Sequence, residues 1–577
     1  MLTPWRNSGL PLFARVLPVF LALTGLCVTA IPASARAGDS IPALAKDFWE
    51  WRSRYQPFSQ DDIPRLEHPS GQRDWSAPAI AKQRDELRAF DARWKSLPHQ
   101  NLPVSEGVDY RLLGSALARV HWELELNKRW ERDPTFYVDQ AITGLLEALL
   151  PPPPFTAPRS REIVERMENI PALFRQGMAN LHPARPFAEL ALGELRDIRP
   201  KLLGVAKEVG PMLTSDSRTS SAELDKAATA AANAAEEYRS WLEKNLSSYP
   251  TKSAVGRENY LFFLRQVALN PYTPEQLLAM SRQEWSRAVA FEEYEHQRDL
   301  GKPELPLAAN FEDQRQKTQA AEESIRRFLN EKAILTVPPD IPHYVVKPIP
   351  KYLSYLEGFG ELDDFTSLTR LNDQGLRWTP EPSSKLGYFA LATAKDTRPL
   401  IVHEGVPGHY FQMSLSWRNP DPVRRWYYDS GANEGIGFYA EEMMLQAGLF
   451  DDSPRSREII YNFMRLRALR VEVDVKLALG EFTIEGGAEY LSKSVPMDAE
   501  TAHEEARLFA STPGQAITYQ IGKIQIMRLL ADARTKQGNG FKLQAFHDYV
   551  WKNGNVPLSL QRWEYLGSAE DVPQLAP

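Results

Sequence analysis

Apolar residues recur at helical spacing over most of the 577-residue chain. The segment from Ser220 to Glu223 has the spacing of a capping box, and it precedes an alanine-rich run that continues to about Leu246. The segment from Thr273 to Gln276 has the same spacing, with Pro274 at the first helical position. Proline is favoured there because a backbone N–H at this position would have no partner within the helix. The pattern predicts a mostly α-helical protein.

The helix that begins after Thr273 has an apolar stripe. Leu278, Trp285 and Val289 recur at helical spacing, so we expect them to share one buried face. Residues 344–347 and residues 387–392 interrupt the helical pattern with apolar runs typical of short β-strands.

The chain has neither a Gly/Ser-rich linker nor an internal repeat. The proline run at residues 151–154 predicts a rigid corner, because each ring fixes φ and removes a hydrogen-bond donor. We therefore expect a single helical domain at 38–577, with lobes at about 38–330 and 331–577.

The N-terminus has the pattern of a secretory signal peptide. Arg6 and Arg15 precede an apolar stretch at residues 16–30, and small residues suited to cleavage follow it. The apolar stretch is shorter than the roughly 20 residues that span a bilayer, although a retained anchor is the alternative. We expect residues 1–37 to be removed from an exported protein, either periplasmic or secreted.

Cys27 is the only cysteine and lies inside this leader. Leu26, directly before it, is not the small residue that a lipid-attachment site has at this position. The mature chain is therefore expected to lack disulfides, thiolate ligands and a cysteine nucleophile, which leaves His, Asp and Glu for any metal site.

The formal net charge is −7 and the pI is about 5.9, so the chain has no strongly basic field. This balance argues against nucleic acid, or a membrane beyond export, as a partner.

The segment from His403 to His409 reads His-Glu-Gly-Val-Pro-Gly-His. Zinc hydrolases bind the ion with three side chains, leave one position open, and place a carboxylate nearby, which Glu404 would supply. On a regular helix, a step of six residues turns the second histidine about 120° away from the first. We therefore predict a distorted helix at Pro407 and Gly408, which returns His409 to the metal.

A third ligand is expected on the next helix, where Glu434 is our first candidate. Glu441 follows seven residues later on the same helical face, so it would either bind a ligand histidine or receive a substrate amine. In the alternative interpretation, His403 and His409 are ordinary histidines and the glutamates form a solvated face.

At this motif the sequence resembles the DUF885 family of bacterial proteins, whose signature is His-Glu-x-x-Pro-Gly-His. The resemblance implies a zinc-metallopeptidase-like helical fold around a deep cleft, with one zinc ion on His403, His409 and Glu434 and with Glu404 as the base. It continues through further ordered segments: Glu434-Gly, Tyr439-Ala-Glu441, Arg470-x-x-x-Asp474 and Pro513-Gly-Gln-Ala-x-x-Tyr519-x-x-Gly522.

Within these segments Tyr519 is suited to hydrogen-bond a developing oxyanion, or else it is a buried aromatic residue. Arg470 and Asp474 fit an i,i+4 salt bridge. The strand predicted at 387–392 would align an extended peptide. Further candidates for contact with a substrate, or for support of the site, are Tyr388, Arg470, Asp474, Arg507 and Lys523.

Two positions depart from the family pattern. Ala478 stands where the family has a histidine, and Ile436 stands where it has a tryptophan. The expected function is an exported zinc-dependent peptidase acting on small peptides. A non-catalytic binding protein, and a metal-dependent hydrolase of other amides or esters, are the alternatives.

Overall fold

The computed structural model describes residues 40–59, 67–69, 71–214 and 219–575. The predicted signal peptide lies outside these ranges. Within them the chain forms 25 α-helices and three short β-strands, so the mostly α-helical prediction is confirmed.

The first ten helices form the N-terminal part of the fold: α1 (Ile41–Tyr55), α2 (Ala77–Ser96), α3 (Val104–His121), α4 (Arg129–Arg132), α5 (Thr135–Val138), α6 (Gly144–Leu149), α7 (Ala157–Asn180), α8 (Arg185–Glu194), α9 (Ile198–Val209) and α10 (Ser221–Asn245). The proline corner separates α6 from α7.

The next elements alternate between helices and strands: α11 (Arg257–Phe262), α12 (Pro274–Arg298), α13 (Phe311–Glu331), β1 (Tyr344–Pro348), α14 (Lys351–Ser354), β2 (Asp363–Asp364), β3 (Gly375–Thr379), α15 (Tyr388–Lys395) and α16 (Arg398–Leu400). The last nine helices form the C-terminal part: α17 (His409–Ser416), α18 (Pro422–Trp426), α19 (Ser430–Ala447), α20 (Pro454–Leu479), α21 (Ile484–Ser494), α22 (Ala499–Ser511), α23 (Ile517–Gln537), α24 (Leu543–Lys552) and α25 (Leu558–Leu566).

Both predicted helix starts are confirmed. Ser220 accepts a hydrogen bond from the Glu223 amide at 3.2 Å and begins α10. Thr273 and Gln276 form the complete capping box of α12, with Pro274 as its first residue.

The buried line of α12 lies one residue away from the predicted stripe. Its fully buried positions include Leu277, Ser281 and Ala288, which face α20 and the apolar clusters beside it. The predicted Leu278, Trp285 and Val289 are half-buried at the edge of this interface.

The three strands form one small sheet in the order β1-β3-β2. Strand β1 pairs with β3 in parallel, with Tyr344 opposite Gly375, and β2 pairs with β3 antiparallel, with Asp363 opposite Arg377. The strand predicted at 344–347 is thereby confirmed.

The strand predicted at 387–392 is wrong, because this segment belongs to α15. The Leu391 amide donates to the Gly387 carbonyl at 2.9 Å, which is a helical bond. Alanine and leucine favour helix, and an apolar run this short has no periodicity that separates helix from strand.

The C-terminal helices pack around an apolar cluster that includes Ile401, Tyr410, Ile436 and Trp551. Helix α19 packs along α23, and α12 packs along α20. The segments that carry the histidine motif and Glu434 are therefore fixed in one well-packed region. The division into lobes near residue 330 stays a prediction.

None of the helices in the described ranges is long and apolar enough to cross a membrane.

Candidate metal centre

His403, His409 and Glu434 converge at one point in the interior. Each offers one ligand atom, and these atoms lie within 4.8 Å of one another. Glu434 Oε2 is 3.4 Å from His403 Nε2 and 3.2 Å from His409 Nε2. Bonds of about 2.0–2.1 Å in a tetrahedral zinc site put neighbouring ligand atoms about 3.3 Å apart. The spacing fits a zinc ion.

The polar atoms at this point are not satisfied by the protein. Glu434 Oε2 is buried and accepts no hydrogen bond from the described residues, although two imidazole nitrogens are close to it. Burial raises the pKa of Glu434, but the imidazoles of His409 and His403 outweigh burial and hold the pKa well below its usual range. Two imidazoles and a buried carboxylate form a donor set that suits a divalent cation.

The distortion predicted in the motif takes the form of a complete break. Helix α16 continues into a π-helical turn, Ile401–Gly405, in which the Val406 amide donates to the Ile401 carbonyl at 2.8 Å. The backbone is then extended at Val406, and α17 begins at His409. The six-residue spacing is thus accommodated by two separate helical segments rather than by one.

Two contacts fix this break. Trp551 Nε1 donates to the Pro407 carbonyl at 2.6 Å. A Cβ at Gly408 would lie 1.7 Å from the carbonyl oxygen of His403, so a residue with a side chain does not fit without rearrangement.

His403 is supported from the other side of its ring. Its Nδ1 lies 2.7 Å from Glu441 Oε1, which is also 2.9 Å from Arg467. Burial lowers the pKa of His403, but Glu434 and Glu441 outweigh burial and raise the pKa to about 9. Of the two interpretations of Glu441, this geometry matches support of a ligand histidine.

Arg467 and Gly437 belong to the site, although sequence reasoning did not identify them. A Cβ at Gly437 would lie 2.9 Å from His403 Cε1 and 3.0 Å from His409 Cε1, so this glycine makes room for both rings. Gly437 lies three residues after Glu434 on the same helix, and this spacing could have identified it as a neighbour of the ligand. Arg467 precedes Arg470 by one turn of α20.

Glu404 lies beside the ligands and is partly exposed. Its Oε1 is 3.9 Å from Arg377 Nη1, and 22% of its side chain is accessible. Arg377 also forms an ion pair with Asp363 of β2. No sequence signal pointed to Arg377, because it comes from β3, outside every recognised motif.

The ring of Tyr519 lies parallel to the imidazole of His403, with centroids 6.1 Å apart and an interplanar angle of 15°. The guanidinium carbons of Arg470 and Arg467 are 4.6 Å and 5.6 Å from the tyrosine ring centroid. Burial and the carboxylate of Glu434 raise the pKa of Tyr519 well above its usual value, despite the two arginines. The hydroxyl group therefore remains protonated and can donate a hydrogen bond.

The salt bridge predicted between Arg470 and Asp474 is wrong. Arg470 instead binds Glu505, with its Nε 2.6 Å from Oε2. Asp474 is fully buried and accepts hydrogen bonds from the amides of Gly514 and Ala516, at 2.9 and 2.8 Å. The side chain of Asp474 points away from Arg470 because it binds the loop that leads into α23.

The other predicted substrate contacts are paired within the fold and do not contact the three candidate ligands. Lys523 is fully buried and donates to Glu442 at 2.7 Å. Arg507 donates a hydrogen bond to Glu194, and the Tyr388 hydroxyl donates one to Asn462.

The family model for "Bacterial protein of unknown function (DUF885)" matches residues 67–563. The chain belongs to this family. A candidate lipoprotein of unknown function from Shewanella oneidensis has a similar structure, with a TM-score of 0.68 and 18% identity over 92% of this chain and 100% of that one. A candidate lipoprotein from Colwellia psychrerythraea gives a TM-score of 0.70 and 16% identity, over 91% and 98% of the two chains. No curated protein matches the sequence.

At these identities the likeness to the solved structures shows the fold alone. The two departures of this DUF885 chain from the family pattern lie in apolar packing. Ala478 belongs to a cluster with Val475 and Ile521, and Ile436 is fully buried in the cluster around Trp551. Neither residue replaces one of the three candidate metal ligands.

Proposed function

We propose that this protein is an exported zinc-dependent hydrolase that cleaves small peptides. The observation that carries the proposal is the spacing of His403, His409 and Glu434, with Glu404 adjacent to the first ligand. A structural zinc site has four protein ligands, whereas three ligands leave a position open for a reacting molecule.

A zinc ion bound there would polarise a carbonyl oxygen and acidify water. Glu404 is the group suited to accept the proton of the attacking water and pass it to the leaving amine. Arg377 Nη1 lies 3.9 Å from Glu404 Oε1, so a cation adjoins the proposed base. Tyr519 has a protonated hydroxyl beside His403 and is suited to donate to the developing oxyanion.

Burial of the site supports small substrates. His403, His409 and Glu434 are only 6%, 2% and 7% exposed, so the surface of a folded protein would not reach them. The predicted signal peptide supports export, and the lipoprotein description of two structurally similar proteins is consistent with it.

The test is to measure bound zinc and cleavage of a peptide library by the wild type and by Glu404→Gln. We expect one zinc per chain in both, with turnover at least about 100-fold lower in the variant because the base is lost. Equal turnover in the two proteins would overturn the mechanism. Glu434→Ala should lose zinc, and unchanged zinc binding would show that Glu434 is not the third ligand.

The same assay separates the alternatives. A binding protein would retain zinc and bind peptides without turnover in any variant. A hydrolase of other amides or esters would leave the peptide library intact but turn over such substrates in a Glu404-dependent way.

A further inference from the structure

A cavity of about 240 Å³ is lined by residues that contact neighbours of the metal centre. Glu505, in its wall, holds Arg470 beneath the ring of Tyr519. Glu361, also in its wall, lies 3.6 Å from Arg377, the arginine next to Glu404. The cavity therefore has two connections to the groups proposed for catalysis.

The lining of this cavity is acidic. Its two arginines are neutralised, because Arg129 pairs with Asp139 at 2.8 Å and Arg507 pairs with Glu194. The carboxylates of the wall outnumber these arginines by five to two: Asp139, Glu194, Glu361, Glu504 and Glu505. Arg470 pairs with Glu505. The two remaining wall carboxylates, Glu361 and Glu504, each share an arginine with another carboxylate.

Glu361 shares the arginine with which it forms an ion pair. The guanidinium of Arg377 is also paired with Asp363 and lies close to Glu404, so one positive charge faces three carboxylates. The Glu361 side chain is 75% exposed, yet desolvation by the surrounding protein raises the pKa of its carboxyl group. The result is an accessible, under-neutralised carboxylate beside the proposed base.

A second, separate feature of the wall is an unsatisfied polar atom. The Glu194 side chain is only 4% exposed, and its Oε2 accepts no hydrogen bond from the described residues. Buried acceptors of this kind are normally satisfied by the protein, by water or by a ligand.

We propose that Glu361 binds the positively charged α-amino group of a peptide substrate, so that the protein removes residues from the amino-terminal end. The inference rests on the function proposed above. In the reaction, water adds across one peptide C–N bond, which gives a carboxylate on the released piece and an amine on the remaining peptide.

The position of Glu361 limits how far from the terminus the bond is cut. Arg377 reaches both Glu361 and Glu404, so the two carboxylates are at most about 10 Å apart. An extended peptide covers about 3.3–3.6 Å per residue. Cleavage is therefore expected after the first or second residue. The arginines that would attract a substrate carboxyl group are already paired, which disfavours carboxypeptidase action.

The experiment compares one short peptide in four forms: free at both ends, acetylated, amidated, and acetylated with an internal lysine. For the wild type, acetylation should lower kcat/KM about 10- to 100-fold, through loss of one charge-assisted hydrogen bond, whereas amidation should change it little. Glu361→Gln should lose the preference for the free amine, mostly through KM, and Glu361→Asp should retain part of it.

Glu331→Gln, a change of the same kind at the exposed end of α13, is the matched control and should behave like the wild type. Equal cleavage of acetylated and free peptides by the wild type would overturn the inference. So would full recovery by the acetylated lysine peptide, because the site would then recognise a side-chain ammonium.

Binding separates this inference from the proposed reaction. Titration calorimetry of the four peptides into Glu404→Gln, with and without Glu361→Gln, needs no turnover. Binding to Glu404→Gln that depends on the free amine and on Glu361, together with no cleavage by the wild type, would support the inference and refute the proposed function. Glu404-dependent cleavage without preference for the free amine would support the proposed function and refute the inference.

Discussion

The two ring nitrogens of His403 have different partners. Nε2 faces Glu434 at the candidate metal position, and Nδ1 contacts Glu441, which is held in turn by Arg467. A carboxylate behind a ligand histidine fixes the ring and its tautomer and makes the free nitrogen a better donor to the metal. The strength of metal binding should therefore depend on Glu441, which is not itself a ligand.

Glu441→Gln is predicted to lower zinc affinity about 10- to 100-fold. The neutral amide is a weaker acceptor for His403 Nδ1 and leaves Arg467 without its ion pair. Competition with a chromogenic chelator measures the change.

The neighbouring Glu442→Gln provides the control. Glu442 binds Arg287 and Lys523, at 2.7 Å each, so its loss should lower stability and leave zinc affinity near the wild-type value. Equal losses of affinity in the two variants would show that the support by Glu441 is not specific.

Gly437→Ala is predicted to weaken zinc binding and to destabilise the protein by about 1–3 kcal/mol. The new methyl group would meet both ligand rings at 2.9–3.0 Å and push them apart. Gly193→Ala is the matched change, since nothing lies within 4 Å of the added Cβ and its helix should gain stability. Thermal unfolding and chelator competition test both variants, and a neutral Gly437→Ala would contradict the packing argument.

The sequence allowed the candidate ligands to be predicted, but not their supports. His403, Glu404 and His409 form one short motif, and Glu434 follows in the next helix, so local spacing was sufficient. Arg377 and Arg467 come from a strand and a helix that only tertiary packing brings to the site, and each looks like an ordinary charged residue in its own segment.

At the scale of elements, features set by local sequence could also be predicted, whereas those set by tertiary packing could not. The break at Pro407 and Gly408 could be predicted because a helix of constant pitch cannot bring His403 and His409 together. The helix α15 was mistaken for a strand because its apolar residues have no period that decides between the two. The pairing of Arg470 with Glu505 depends on α22, which no local pattern connects to α20.

Asp474 couples α20 to the helix that carries Tyr519. It accepts hydrogen bonds from Gly514 and Ala516, directly before α23, and from the hydroxyl of Tyr260. Asp474→Asn turns one acceptor into a donor that faces other donors, so we predict a loss of about 1–3 kcal/mol of stability.

If the loop then moves, Tyr519 moves with it, and activity should fall by more than the loss of folded protein explains. Tyr260→Phe, which removes one of these bonds and leaves the amide contacts, should cost about 1 kcal/mol. Urea unfolding measures both. An Asp474→Asn protein with wild-type stability and activity would show that the loop is held by other contacts.

At the scale of the whole molecule, helical periodicity and capping signals were sufficient to predict a mostly helical fold. The sheet was only partly predictable, because β2 has two residues and β3 joins β1 by a parallel pairing across distant sequence. The apolar clusters also join segments far apart in the chain, which a sequence pattern does not reveal. One cluster combines residues from Ala288 to Leu566.

The stability of the whole molecule should decrease below about pH 6.5 through His547. This side chain is fully buried, with Nδ1 2.7 Å from the Ile334 carbonyl oxygen and Nε2 2.9 Å from the Tyr439 hydroxyl. Nδ1 donates to the carbonyl, and in the neutral ring Nε2 accepts from the Tyr439 hydroxyl, so the uncharged side chain satisfies both of its nitrogens. Burial lowers the pKa of His547 to about 4.

The unfolded chain has a histidine pKa of about 6.5, so between pH 6.5 and 4 it binds a proton that the folded protein does not bind. The free energy of unfolding contributed by this residue is complete above pH 6.5 and falls by up to about 3 kcal/mol as the pH approaches 4. Urea unfolding of the metal-free protein from pH 7 to pH 4 should show this slope. His547→Asn keeps a donor for Ile334 but does not titrate, and it should be less stable at pH 7. Its unfolding free energy should change less steeply with pH, because up to one fewer proton is bound on unfolding. Parallel curves for the two proteins would mean that His547 binds its proton as readily in the folded state as in the unfolded chain, and would contradict the prediction.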